Sequence, residues 1–172
     1  MKKLIVFVAM ICTLIFTVPF NANAEFGLGY EGVIAGNFLQ GISARGWVEN
    51  LGYEINLFQS TIDVDAEDLG FDDSVDILIY GGKILFAAVV NQNSKFYLGL
   101  DAGMGSVELG DEEFDVMSFG PLFGAEYRFQ EMPELGFNWE VGYKFTNLEY
   151  DDEDVELGIN GISISIGVHY YF

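Results

Sequence analysis

Apolar residues fall on every second position over most of this chain. The pattern is plainest at the end, where Ile162, Ile164, Ile166, Val168, Tyr170 and Phe172 alternate with Ser163, Ser165, Gly167, His169 and Tyr171. A period of two marks an extended strand with one apolar face and one small or polar face. Phe26, Leu28 and Tyr30 alternate in the same way with Gly27, Gly29 and Glu31. Leu51, Tyr53, Ile55 and Leu57 alternate with Gly52, Glu54 and Asn56, and Leu98, Leu100, Ala102 and Met104 with Gly99, Asp101, Gly103 and Gly105. Met117, Phe119, Phe123, Ala125, Tyr127 and Phe129 oppose Ser118, Gly120, Gly124, Glu126 and Arg128. Leu135, Phe137, Trp139, Val141, Tyr143 and Phe145 oppose Gly136, Asn138, Glu140, Gly142, Lys144 and Thr146. Two weaker segments, 40–48 and 75–90, bring the expected strands to eight. The pattern alone does not settle which way Ile77 to Val90 face.

The connections alternate in kind. Short links are expected near Glu49-Asn50, Asn91 to Ser94 and Gln130 to Glu134, and long ones near 61–74, 106–115 and 147–160. The first link, near Gly36-Asn37, is modest. Short turns alternating with long loops, on an even number of strands, suit a membrane barrel with both termini on the inner side. In lipid every backbone N–H and C=O must be paired internally, so strands can span only as a closed sheet. The apolar face is heavy with aromatic rings, which an eight-stranded interior has little room to hold. Turned outward, they would meet lipid. The expected fold is all-β, a single up-and-down antiparallel eight-stranded transmembrane β-barrel over residues 25–172. The alternative is a soluble periplasmic lipocalin-like barrel with its apolar face inward.

The amino terminus changes the compartment. Met1-Lys2-Lys3 is followed by an uncharged apolar run from Leu4 to Phe20, and Ala22 and Ala24 occupy the positions of an A-x-A cleavage site. This predicts a signal peptide over residues 1–24, removed on export. Cys12 lacks the setting of a lipoprotein cysteine and leaves with the leader, so no disulfide is expected. The leader holds two of the seven lysines and arginines and none of the 27 acids, so the mature chain carries a net charge of −22. That balance argues against nucleic acid as a partner. The abundance of aromatic and β-branched residues argues against disorder.

With its leader, its alternating strands, its rhythm of turns and loops and its Val168-His169-Tyr170-Tyr171-Phe172 ending, the whole mature chain resembles the small eight-stranded outer-membrane barrels of the OmpA-transmembrane-domain and OmpX type. The resemblance implies residence in the outer membrane of a Gram-negative-type bacterium, with membrane lipid and the barrel-assembly machinery as partners. It also implies that Tyr170 and Phe172 act as the assembly signal, and that the protein is a monomer. It is a match of architecture and carries no motif for an activity. Nothing follows Phe172, so a cell-wall-binding domain is not expected.

Seven charged residues fall on the small or polar faces: Arg45, Glu54, Asp101, Glu126, Arg128, Glu140 and Lys144. Pairing across the turn near Met132 should bring Glu140 within a residue or two of Glu126 and Arg128. Charges inside a barrel are costly unless paired and hydrogen-bonded, so the group is expected to form a structural salt-bridge plug. The sharper alternative is a gate, whose pairs exchange to open a narrow path for ions or small solutes. Eighteen of the 27 acids, in three clusters from Asp63 to Asp76, Glu108 to Asp115 and Glu149 to Glu156, fall at one end of the barrel. They read first as a solvated, repulsive surface and second as a place for divalent cations, which favour carboxylate oxygens. Asp63-Val64-Asp65-Ala66-Glu67 begins like an EF-hand loop, but Asp68 replaces the required glycine and Ser74 the bidentate glutamate. No cofactor is expected. No enzyme is expected either, since the single His169 lies at the turn end, away from the acidic loops. The functional expectation is an integral outer-membrane barrel with a structural or surface-interaction role.

Overall fold

A computed structural model describes residues 24–34, 38–66, 71–110, 112–150 and 155–172. They form β1 (Ala24–Ile34), β2 (Phe38–Val48), β3 (Leu51–Ala66), β4 (Phe71–Val90), β5 (Ser94–Leu109), β6 (Glu112–Phe129), β7 (Met132–Tyr150) and β8 (Val155–Tyr171). Each strand pairs antiparallel with its sequence neighbours, and β8 returns to β1 to close the barrel. The closing ladder runs from Gly27 opposite Tyr171 to Ile34 opposite Ile164. Residues 1–23 of the expected leader lie outside the described residues. Ala24 opens β1, opposite Val48.

The two faces have exchanged the roles they play in a soluble protein. Ile84 is 67% exposed and Leu100 65%, whereas Glu31 and Arg45 are 0% exposed. Every strand adds large apolar side chains to the outer face, from Leu28 on β1 to Ile166 and Tyr170 on β8. Soluble monomers rarely expose apolar patches beyond a few hundred Å². An apolar exterior around a charged interior is the arrangement that hydrocarbon requires, and it removes the lipocalin-like alternative. Ring pairs such as Phe119–Phe145 at 5.2 Å and Phe123–Trp139 at 6.1 Å pack along this outer surface.

The rings of the apolar face turn outward as expected, and a few rings of the opposite parity point inward. Trp47, Tyr97, Tyr171 and Phe58 point inward and are buried. Glycine on neighbouring strands makes the room: a Cβ at position 52 would lie 2.7 Å from the Trp47 ring. The two weaker segments are strands, as expected. On β2 the outward positions Ala44 and Gly46 are small, and the Tyr53 ring covers Gly46 from the facing strand, so the apolar stripe is thin in sequence. On β4 both faces are apolar. Ile77, Ile79, Leu85 and Ala87 point inward while Leu78, Ile84 and Phe86 point outward. Alternation vanishes there because the two solvents of the strand, the lumen and the lipid, both meet hydrocarbon.

One expectation needs correction: the segments 61–74, 106–115 and 147–160 are mostly strand rather than long loop. β3 and β4 stay paired up to Ala66 opposite Phe71, and β7 and β8 up to Tyr150 opposite Val155. β4 has 20 residues and β7 19, against about 9–11 needed to cross a bilayer at a tilt. The β3–β4, β5–β6 and β7–β8 hairpins therefore project beyond the membrane as ribbons. β1 and β2 have 11 residues each. The β1–β8 ladder ends at Ile34–Ile164 and the β2–β3 ladder at Gln40–Gln59. The rim is therefore lowest on the β1–β2 side.

Candidate functional site

Register alone assembles a ring of charge. Arg45 lies opposite Glu54, Glu54 opposite Lys83, and Lys83 opposite Asp101. Four consecutive strands thus set alternating charges side by side on the inner wall. Lys144 of β7 extends the alternation, with its Nζ 2.8 Å from Asp101 Oδ2.

Glu31 and Glu140 reach the centre from β1 and β7. Arg45 donates through Nε to Glu54 and through Nη2 to Glu140 Oε1 at 2.5 Å. Its Nη1 donates to the Tyr97 hydroxyl at 3.0 Å, which donates onward to Glu140 Oε1 at 2.9 Å. Lys83 Nζ meets three carboxylates: Glu31 at 2.5 Å, Glu140 at 2.6 Å and Glu54 at 2.7 Å. Ser165 Oγ donates to Glu140 Oε2 at 3.0 Å. A Cβ at position 124 would lie 2.8 Å from Glu140 Cγ, so Gly124 is what lets this side chain lie flat against the wall.

A second layer sits toward the turn end. Arg128 bridges Glu126 at 3.0 Å and Glu25 at 2.8 Å, and Lys95 also holds Glu25 at 2.8 Å. The Tyr171 hydroxyl and the Trp47 indole N–H both donate to Glu126 Oε2. Arg128 stacks 3.8 Å above the Tyr171 ring. The seven expected charges thus divide into three groups. Arg45, Glu54 and Glu140 form the centre, Asp101 and Lys144 a pair beside it, and Glu126 and Arg128 the lower layer. Glu140 lies opposite Gly124, two positions from Glu126, yet its partners are Arg45 and Lys83 rather than Arg128.

Sequence reasoning missed Lys83, Glu31, Glu25 and Lys95. A usable signal existed. All five lysines and arginines after Lys3 fall within strands, and in a membrane barrel a cation deep in a strand belongs inside. All five are in fact ion-paired inside.

The charged layer separates two cavities. One of about 240 Å³ opens toward the hairpin end, and one of about 60 Å³ lies at the turn end. They share no lining residue, and Arg45, Trp47, Glu54, Tyr97 and His169 are fully buried between them.

His169 stands in a Ser–His–Asn chain. Its Nε2 is 2.8 Å from Ser43 Oγ and its Nδ1 is 3.1 Å from the Asn138 amide. Such a chain is the skeleton of a nucleophile and its base. The amide orientation reverses it. The Asn138 nitrogen donates to Nδ1 and to the Gly167 carbonyl, and its oxygen accepts from Arg45. Nδ1 is then the acceptor, and Nε2–H donates to Ser43, so the imidazole cannot take the serine proton. None of the three lines either cavity. His169 is a hydrogen-bonded filler.

At the carboxyl terminus Tyr170 and Phe172 point outward, with ring centroids 5.4 Å apart. The Phe172 N–H donates to the Phe26 carbonyl at 2.9 Å. The segment beginning at Asp63 is a paired ribbon, with Asp63 opposite Ser74 and Asp65 opposite Asp72, not the wrapped loop of an EF-hand. Glu67 and Asp68 lie outside the described residues. Among the described residues no group of three or more metal-ligating side chains is gathered to hold an ion.

Fold and charged interior together define a small eight-stranded membrane barrel of the outer-membrane kind. No protein-family model and no curated protein sequence matches the chain. Among solved structures it is similar to a major outer membrane protein from Thermus thermophilus, with a TM-score of 0.56 and 13% identity over 87% of this chain and 99% of that one. It is also similar to Neisserial surface protein A (TM-score 0.46, 16% identity, 87% and 96% covered). The N-terminal β-barrel domain of Pseudomonas aeruginosa OprF is a third (0.44, 14%, 87% and 98%). At such identities the likeness concerns the fold alone.

Proposed function

We propose that this protein is a monomeric integral outer-membrane barrel with a closed interior and a structural or surface-interaction role, exported behind a leader cleaved after Ala24. One observation carries the reading. Every cation beyond the leader is ion-paired inside the barrel, so the projecting hairpins carry acids with no cation among them. The interior charges hold the barrel shut, and the hairpins display an unneutralised acidic surface. That surface repels like-charged neighbours and gathers divalent counter-ions without a fixed ligand cage. The partners of this reading are membrane lipid, the barrel-assembly machinery that recognises Tyr170 and Phe172, and those counter-ions. No reaction and no cofactor belong to it.

Membrane fractionation and a heat-modifiability gel test the location: the protein should co-sediment with outer membrane and shift on boiling. Recovery in the soluble periplasm would overturn the reading. Planar-bilayer recordings test closure, and silent bilayers are the expected result. Stepwise currents that change on replacing Arg128 or Glu140 would instead establish the channel reading, in which the pairs exchange.

A further inference from the structure

The cavity on the hairpin side is unlike the layer beneath it. Much of its wall is apolar, with Val33, Phe58, Ile77, Val116, Leu122 and Leu148 facing it beside polar residues such as Ser118 and Thr146. Its ionisable lining is three acids, Glu31, Asp101 and Glu140, against two bases, Lys83 and Lys144. Both acceptor sets are incompletely used. Lys83 donates to Glu31 Oε1 and Glu140 Oε2 and is ion-paired with Glu54 Oε1. Glu31 Oε2 is left with no donor, on a residue that is 0% exposed. Lys144 satisfies Asp101 Oδ2, and Asp101 Oδ1 has no donor either. A barrel filler should end with its buried acceptors satisfied. Here two carboxyl oxygens without a donor lie at the bottom of a cup with much apolar wall.

We propose that the cup binds a small cationic amphiphile: a primary alkylammonium whose head donates to Glu31 Oε2 and whose hydrocarbon body lies against the apolar walls. The head supplies the donors that the floor lacks, and its positive charge answers a lining of three acids against two bases. An anionic head would meet the excess of acids over bases in that lining, and a neutral alcohol brings a donor without the charge. The space suffices, since a dry apolar cavity of about 150 Å³ already holds benzene and this one measures about 240 Å³. The mouth favours cations as well. The acids of the projecting hairpins concentrate them.

The test uses the folded protein in zwitterionic nanodiscs, titrated with hexylammonium, hexanol and hexanoate and followed by ligand-observed NMR against empty nanodiscs. Saturable binding of hexylammonium alone is expected. Glu31→Gln should weaken it at least tenfold, and Val116→Phe, which fills the cup, should weaken it comparably. Asp101→Asn should weaken it severalfold, and it carries the charge test together with Val116→Phe if Glu31→Gln does not fold. A heat-modifiability gel verifies that each variant is folded. Partitioning equal to that of empty nanodiscs overturns the proposal, the charge then being settled by a proton or water. Equal affinity for the three probes overturns it too, as does binding unchanged in the folded variants.

Discussion

Lys83→Met is the most direct probe of the charged layer. Methionine keeps most of the length of the side chain and removes its charge. The ammonium meets Glu31, Glu140 and Glu54 at 2.5, 2.6 and 2.7 Å, and its side chain is 5% exposed. Without it, three carboxylates share Arg45 as their one cation at the centre. Breaking a buried ion pair by removing one partner costs about 3–5 kcal/mol, because the remaining charge stays buried. Three partners at once place this variant at the upper end, a large part of an ordinary domain's stability of about 5–15 kcal/mol. Lys144→Met is the matched control. It removes one bridge to Asp101 from a side chain that is 26% exposed and should cost about 1 kcal/mol or less. Urea unfolding in lipid vesicles, read by fluorescence of Trp47 and Trp139, measures both. Adding Glu31→Gln to Lys83→Met removes one orphaned charge and should return about 1 kcal/mol or more. If Lys83→Met cost no more than Lys144→Met, the three contacts would not form a desolvated network and the argument would fail.

Three other outcomes follow from the same geometry. Gly124→Ala places a methyl 2.5 Å from the Trp139 carbonyl oxygen and 2.8 Å from Glu140 Cγ; overpacking of this kind should cost about 1–3 kcal/mol in the same unfolding assay. Glu49 adopts a φ of 54° in the turn after β2; Glu49→Gly should raise stability by about 1 kcal/mol, since only glycine enters that region without steric cost. Phe172→Ala keeps the terminal N–H bond to Phe26 and removes only an outward ring. Its level in the outer membrane should fall, while protein refolded in vitro still shifts on heating. Wild-type levels in the cell would count against an assembly signal at this residue.

Much of the barrel can be read from alternation, and the exceptions have physical causes. β8 is legible because each outward residue from Ile162 to Phe172 is apolar and its inward neighbours are small or polar, apart from Tyr171. β4 is not, because Ile77, Ile79, Leu85 and Ala87 line the lumen beside an equally apolar lipid face. Lys83 is its one clear marker. The hairpins were misread as loops because acids clustered near 61–74, 106–115 and 147–160 look solvated whether the backbone is coiled or paired. The period of two in fact continues through them, as in Ile62-Asp63-Val64-Asp65-Ala66 and Val155-Glu156-Leu157-Gly158-Ile159, so alternation carries the strands past the acids.

The candidate site shows the same division. The inward facing of Arg45, Glu54, Asp101, Glu126, Arg128, Glu140 and Lys144 was readable one strand at a time. Their partners were not. Whether Glu140 answers Arg128 or Arg45 depends on which side chains reach across the lumen, and the ladders settle only neighbours on the wall. The apolar cup needed closure too, since Val33, Phe58 and Val116 come from β1, β3 and β6 and meet only once the sheet is curled. A period of two acts locally, through the direction of each Cβ, so the sequence by itself determined the strands, the faces and the membrane as solvent. Pairing across a lumen acts at long range, so the sealed layer, the orphaned oxygen of Glu31 and the cup above it were decided by the tertiary structure.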